Sequence, residues 1–238
     1  MLSARTTSKL TGMAEADLPT AGNPAPLIPT AAEAAETEYW TRLYGRWDPF
    51  DTAGVAAFMA GFTRPWWIVG GLAIDAFTGV RRRHDDVDVS ILACDVPALR
   101  EHVGERWHLW NLAGGDMRPL THQHPEVFHP ASQLWVREHG NAPWVIDLPL
   151  TPDRDGLWTN KFLPDHVGPI EEVTWTSADG IRYLNPEIVL LFKARLRRTK
   201  DTYDLHRTWP LLTPEQQTWL RQMIHDLDAD HPWLRTIR

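Results

Sequence analysis

Two aspartates and an upstream pair of glycines are the residues most able to do chemistry in this sequence. The stretch GVRRRHDDVDVSIL, Gly79 to Leu92, sets Arg81, Arg82, Arg83 and His84 directly before Asp85, Asp86 and Asp88, then runs into alternating apolar residues. On an extended strand, Asp86, Asp88 and Ser90 share one face, and Val87, Val89 and Ile91 share the other. Two carboxylates so placed lie about 6.5 Å apart along the strand. That spacing lets both reach one hard cation such as Mg2+, which takes one or two carboxylates together with phosphate oxygens and water. The alternative is a solvated edge strand with an acidic outer face, on which the two like charges repel each other.

Gly70-Gly71 joins an apolar run to a helical one. Glycines there permit a tight turn and close backbone approach, and a helix N-terminus offers free N–H groups to a phosphate. A lone Gly-Gly pair is also an ordinary turn. Followed by an Asp-Val-Asp strand, it suggests one element for phosphate and another for the metal that bridges it. A third carboxylate would complete a two-metal or metal-plus-base site. WVIDLPL supplies Asp147, an isolated acid in an apolar strand, where an unpaired carboxylate is costly and usually faces a partner or a site. Arg137 is its alternative structural partner.

Among the basic residues, Arg83 is the one expected to contact a triphosphate, with Arg81 and Arg82 expected at the surface. Lys193, inside VLLFKAR, suits a snorkelling lysine. Lys200 and Asp201 suit a phosphate contact or a helix cap. His122, His124 and His129 match no structural zinc spacing and read as a polar loop.

These residues need elements to hold them. Residues 1–34, rich in Ala, Thr, Pro and Ser, read as a disordered tail. A helical segment follows at roughly 35–62. Trp66 to Val69 reads as a strand, LAIDAFTG as a short helix closed by Gly79, and Val87 to Leu92 as a second strand. Asp95 is a candidate N-cap for a helix through Trp107. Strands are expected at 107–113, 133–138, 143–150 and 157–163, and a hairpin at 174–184 around Asp179-Gly180. From Asn185, an N-cap followed by Pro186, three helices are expected: PEIVLLFKARLRRTK, DTYDLHRTWPLL and PEQQTWLRQMIHDL. The division is therefore a tail (1–34), a mixed core domain (35–184) and a helical lobe (185–238).

The 238 residues carry a net charge of −7. That balance disfavours a broad nucleic-acid surface, which needs a basic excess, and suits a small cationic partner. The single cysteine, Cys94, rules out an internal disulfide and suits a reducing cytoplasm. No apolar run reaches membrane-spanning length, since Asp75 interrupts WWIVGGLAIDAF, and the N-terminus lacks the apolar stretch of a signal peptide. The 13 tryptophans suit core and lobe packing better than a flat aromatic pocket.

WWIVGGLAID followed by RRRHDDVDV resembles the nucleotidyltransferase superfamily that includes DNA polymerase β. More closely, it resembles the aminoglycoside and lincosamide nucleotidyltransferases of antibiotic resistance. VIDLPL, YLNPEIVLLFKAR, TKDTYDL and the terminal HPWLRTI are similar to the aminoglycoside 2″-adenylyltransferase-like group, so the likeness runs over roughly residues 60 to 238. It implies an α/β (α+β) fold: a small mixed nucleotidyltransferase-type sheet with flanking helices, then a helical C-terminal lobe. It implies that Asp86 and Asp88 bind divalent metal, with Asp147 completing the site as a third ligand and general base. It implies nucleotide contacts from Gly70, Gly71, Arg83, His84, Lys193 and Lys200. Many superfamily members have Gly-Ser where this chain has Gly70-Gly71, so backbone contacts must serve here. Asp75 is expected to brace the Arg83–His84 loop. The implied activity is Mg2+-dependent transfer of AMP from ATP, or NMP from another NTP, to a hydroxyl of a small cationic acceptor such as an aminoglycoside, with release of pyrophosphate. Other acceptors, a lincosamide, a metabolite or tRNA, and a non-catalytic nucleotide-binding protein of the same fold remain open at this point.

Overall fold

The computed structural model describes residues 30–237. Most of the expected tail therefore lies outside the described residues. Its last residues do not continue it, because helix α1 (Ala31–Tyr44) already starts there. The single helical segment expected over 35–62 is two helices. Gly45 adopts a left-handed φ of +98°, and residues 46–50 run extended beside Trp144 and Val145 before α2 (Thr52–Phe58), whose N-cap Asp51 accepts from Gly54 N at 2.7 Å.

Strand β1 (Trp66–Ile68) leads into α3 (Gly70–Thr78), then β2 (Val89–Ile91) and α4 (Val96–Val103). The second strand is shorter than expected, since Asp88 precedes it as an isolated bridge partner. Helix α4 stops at Val103, where Gly104 turns the chain with φ +58°. Asp95 occupies the cap position, but its carboxylate makes no capping bond and lies 3.6 Å from Arg64. Next come β3 (His108–Ala113), β4 (Asp116–Pro119), β5 (Gln133–Arg137) and β6 (Ile146–Pro149), then the short strands β7 (Asp153–Arg154), β8 (Leu157–Thr159) and β9 (Val167–Gly168). Helix α5 (Ile170–Val173), the hairpin β10 (Thr174–Thr176) and β11 (Arg182–Leu184), and helices α6 (Pro186–Ala194), α7 (Thr199–Thr208), α8 (Pro214–Leu227) and α9 (Trp233–Thr236) complete the chain.

The strands form a mixed sheet, β10-β11-β1-β2, in which β1 and β11 run parallel, an antiparallel sheet, β4-β3-β5-β6, and a small antiparallel sheet, β7-β8-β9. The first two meet along a seam. Strands β2 and β6 run side by side in parallel, joined by the bridges Asp88–Asp147 and Leu92–Thr151, with Asp147 N donating to Val87 O at 2.9 Å and Thr151 N to Ile91 O at 3.0 Å. The fold is thus mixed α+β with a helical C-terminal region.

Alternation explains what each face does. Val87, Val89 and Ile91 are fully buried in a core with Trp67, Ile68, Ala73, Ile74, Leu99 and Leu134. Burial of each large aliphatic or aromatic side chain contributes about 1.5–3 kcal/mol. On the other face Ser90 is buried but satisfied, donating to Pro149 O at 2.6 Å with Thr151 Oγ1 at 2.8 Å. Four consecutive residues of α6, Ile188 to Leu191, are buried because the helix packs on α3, α7 and α8 together. Such all-round apolarity marks a helix enclosed by neighbours.

Candidate active site

The seam brings the three acids together. Asp86 and Asp88 arrive on the strand leading into β2, and Asp147 sits on β6 opposite Asp88. Ligand oxygens of all three lie within 4.8 Å of one another, which is metal-ligand spacing. Burial and the neighbouring Asp86 charge push the Asp88 carboxyl up to about 7. Burial and the Asp88 charge raise Asp147 well above the usual carboxylate range. Three acids this close repel one another, so a divalent cation suits the donor set.

Asp147 is not paired with Arg137. That guanidinium stacks on Trp110 and Trp144, 4.5 and 4.2 Å from the ring centroids, and donates to Gly140 O at 2.9 Å. The partner of Asp147 is Gln133, whose Nε2 donates to its two carboxylate oxygens at 2.9 and 2.6 Å. Gln133 was not foreseen. Alternation along QLWVR places Gln133 and Trp135 on one face, but which strand lies beside them is not a local property.

The glycine pair is fitted to the acids and to the loop before them. Gly70 has φ +65°, and a Cβ there would lie 1.9 Å from Asp88 Oδ2. A Cβ on Gly71 would lie 2.4 Å from His84 Cε1 and 2.5 Å from Arg82 Nη2. No side chain caps α3, which begins at Gly70. His84 therefore lies against the start of α3, and its Nε2 is 2.6 Å from Asp75 Oδ2. Asp75 also accepts from Arg82 N at 3.0 Å and from Arg207, which makes it the brace of this loop. Burial alone would raise the Asp75 carboxyl, but its bonds to His84 and Arg207 hold it below the usual value.

Three basic residues are placed otherwise than expected. Arg83 is turned outward, its side chain 93% exposed and 3.9 Å from Asp85. Arg82, expected at the surface, is half-buried. Its Nε and Nη2 donate to the two oxygens of Asp204 at 3.2 and 3.1 Å. The reason is register: residues 81 to 86 alternate exposed and half-buried, so Arg82 and His84 share the inward face with Asp86. Lys193, expected to reach phosphate, is 5% exposed and lies 2.8 Å from Asp204 and 3.3 Å from Asp201. Asp201 binds the start of α7 through Arg198, and although burial would raise its carboxyl, Arg198 and Lys193 hold it low. Arg207 closes the network at 3.1 Å from Asp204.

The chain has four lysines, Lys9, Lys161, Lys193 and Lys200. The last three, all of those described, exert a favourable field on Asp88. Lys161, on the loop after β8, was not foreseen either. Its Nζ lies 5.2 and 5.0 Å from the Phe162 and Phe192 ring centroids. Burial lowers its proton affinity, against the opposing pull of Asp88 and Asp147. Among the described residues no carboxylate lies within ion-pair distance of it, which leaves its charge for a ligand. Lys200 and Arg198 line a cavity of about 560 Å³ that also holds Asp86, Asp147 and Gln133. His122, His124 and His129 are exposed and take no part in the acidic cluster.

No family model and no curated protein sequence matches the chain. Several solved structures are similar to it. The solution structure of the antibiotic-resistance factor ANT(2″)-Ia superposes with a TM-score of 0.47 at 17% identity, over 79% of this chain and 97% of that one. The lincosamide antibiotic adenylyltransferase LnuA, lincomycin-bound, gives 0.47 at 16% identity over 67% and 97%. ANT(2″)-Ia in complex with adenylyl-2″-tobramycin gives 0.37 at 15% identity over 77% and 94%.

Proposed function

We propose that the protein is a divalent-metal-dependent nucleotidyltransferase, moving NMP from an NTP, most simply AMP from ATP, to a hydroxyl of a small acceptor. The observation that carries this is the set of three carboxylates at the β2–β6 seam, closed on one side by a glycine pair with no room for a Cβ. Asp86, Asp88 and Asp147 are the residues that would hold Mg2+, a hard ion that neutralises charge on a transferring phosphoryl group.

The protein's own groups then divide the work. Gly70 and Gly71 bring backbone N–H groups at the start of α3 towards the triphosphate, while Lys161 and Lys200 supply positive charge. His84 is held by Asp75 beside Gly71 and borders the phosphates. Asp147, with raised proton affinity, takes the proton from the acceptor hydroxyl while Gln133 fixes its carboxylate plane. The hydroxyl oxygen bonds to the α-phosphorus, the bond from that phosphorus to the bridging oxygen breaks, and pyrophosphate leaves. Lys193 and Arg82 act at a distance, by holding α7 against the loop.

Antibiotic acceptors are the first to try, with a cationic aminoglycoside favoured by the acidic balance of the chain. The described residues contain no helix long and apolar enough to cross a membrane, and a cytoplasmic setting suits both the lone cysteine and an ATP-dependent reaction. The test is incubation with Mg2+ and each NTP against tobramycin, lincomycin and tRNA, followed by mass spectrometry. Addition of one NMP to an antibiotic, abolished by Asp88→Asn, is expected. No adduct on any acceptor, with no Mg2+-dependent binding of a non-hydrolysable ATP analogue, would overturn the proposal.

A further inference from the structure

The cavity that holds Asp86 and Asp147 has a second chemistry, and this inference rests on the transfer proposed above. Trp40 and Tyr44 of α1, Trp47 of the following loop and Trp135 of β5 line it. Their rings touch in series. Trp40 and Tyr44 stack at 5.6 Å with planes 15° apart, and Tyr44 and Trp47 each meet Trp135 edge-on, at 5.8 and 5.0 Å.

Helix α1 contributes little to the core. Its described side chains are exposed along most of its length, with Trp40 44% and Leu43 54% exposed. It is tied down at its C-terminal end, where Trp144 Nε1 donates to Tyr44 O at 2.8 Å. A surface helix ordinarily earns its place by burying an apolar stripe, whereas α1 turns Trp40 and Tyr44 to the cavity of the acids.

Position decides what they meet there. Trp135 is the ladder partner of Asp147, and directly opposed residues have Cβ atoms about 4.5–5.5 Å apart. The ring nearest the proposed base therefore lies beside the hydroxyl that loses its proton, and that hydroxyl belongs to the acceptor. The helical lobe supplies cations to the same cavity, Arg198 and Lys200, which match phosphate charge as aromatic rings do not.

We propose that α1 and Trp135 form the acceptor-selecting wall of the site, and that the acceptor is a hydroxyl-bearing ring compound that lays an apolar face on Trp40, Tyr44 and Trp135. Sugars and aryl glycosides have such faces.

Phenyl and methyl β-D-glucopyranoside are matched probes, alike in their ring hydroxyls and differing in one aromatic ring. Each is titrated calorimetrically into the full chain with Mg2+ and a non-hydrolysable ATP analogue. The phenyl glucoside is expected to bind about tenfold more tightly, the worth of one aromatic contact. In Trp40→Ala the preference falls to about twofold or less, and Trp40→Phe restores it. No preference in the wild type, or the same preference in Trp40→Ala, overturns the proposal. So does a Trp40→Ala variant that loses analogue affinity instead, which would give the wall to the nucleobase. Failure of the wild type to bind the analogue counts against nucleotidyl transfer, and is read from a separate titration. Trp40 lies outside the buried core, and thermal melting checks that the variants are folded.

Discussion

Asp88 and Asp147 are bridge partners across the seam where β2 and β6 run parallel, and burial together with the Asp88 charge raises the proton affinity of Asp147. The sign of the consequence for stability is fixed. A carboxyl with a folded value near 7 and an ordinary unfolded value binds more protons in the folded state between those limits. The contribution of this carboxyl to the stability of the metal-free protein is therefore greatest below the unfolded carboxylate value and is lost as pH rises towards 7. Asp88→Asn removes the penalty, and its metal-free melting midpoint at pH 8 should exceed that of the wild type by about 2–4 °C per kcal/mol recovered. Calorimetric melting at pH 5 and pH 8 checks this, and a midpoint lowered equally at both would show that Asp88 carries no such penalty.

The amide of Gln133 favours the ionised form of Asp147. Gln133→Leu should shift the acidic limb of the kcat profile to higher pH and lower kcat by about 10–100-fold, within the range of acid–base contributions. The KM for NTP should change little. A pH profile that falls uniformly without moving its limb would limit Gln133 to packing.

Arg82 and Arg83 are neighbours with opposite roles. Arg82→Ala leaves Asp204, 0% exposed, short of one of its cations, and breaking a buried pair costs about 3–5 kcal/mol. Arg83→Ala should lie within about 0.5 kcal/mol of wild type, as surface substitutions do. Urea denaturation of the two variants decides, and equal midpoints would contradict the placement of these side chains.

Lys161 and Lys193 should separate in the same way. Lys161→Met is expected to raise the KM for NTP about tenfold, the worth of roughly 1.4 kcal/mol, with little loss of stability. Lys193→Met should destabilise the fold instead, since it leaves Asp201 and Asp204 short of a partner. Steady-state kinetics beside thermal melts tell them apart.

Much of the site was legible because its signals are local. Period-two alternation put Asp86 and Asp88 on one face, an acid in an apolar strand marked Asp147, and Gly70-Gly71 marked a backbone position closed to side chains. The same alternation, extended backwards, also distinguishes Arg82 and His84 from Arg83, and stopping it at Asp86 is what put Arg83 on the wrong side. Gln133 and Lys161 were not legible, because their roles arise from strand and loop neighbours distant in sequence. The break between α1 and α2 was hidden for a different reason: apolar spacing continued through Gly45, whose left-handed backbone ends the helix.

The seam also bears on how the molecule reaches its native state. Neither sheet alone contains the three-acid cluster: Asp86 and Asp88 belong to the approach to one sheet, and Asp147 belongs to the other. Hairpins such as β3–β4 can close early from local contacts, whereas the β2–β6 pairing closes a long loop of chain and is slow on that account. Because that pairing forces like charges together, a slow step of assembly is also one that low pH or a divalent cation would help to close.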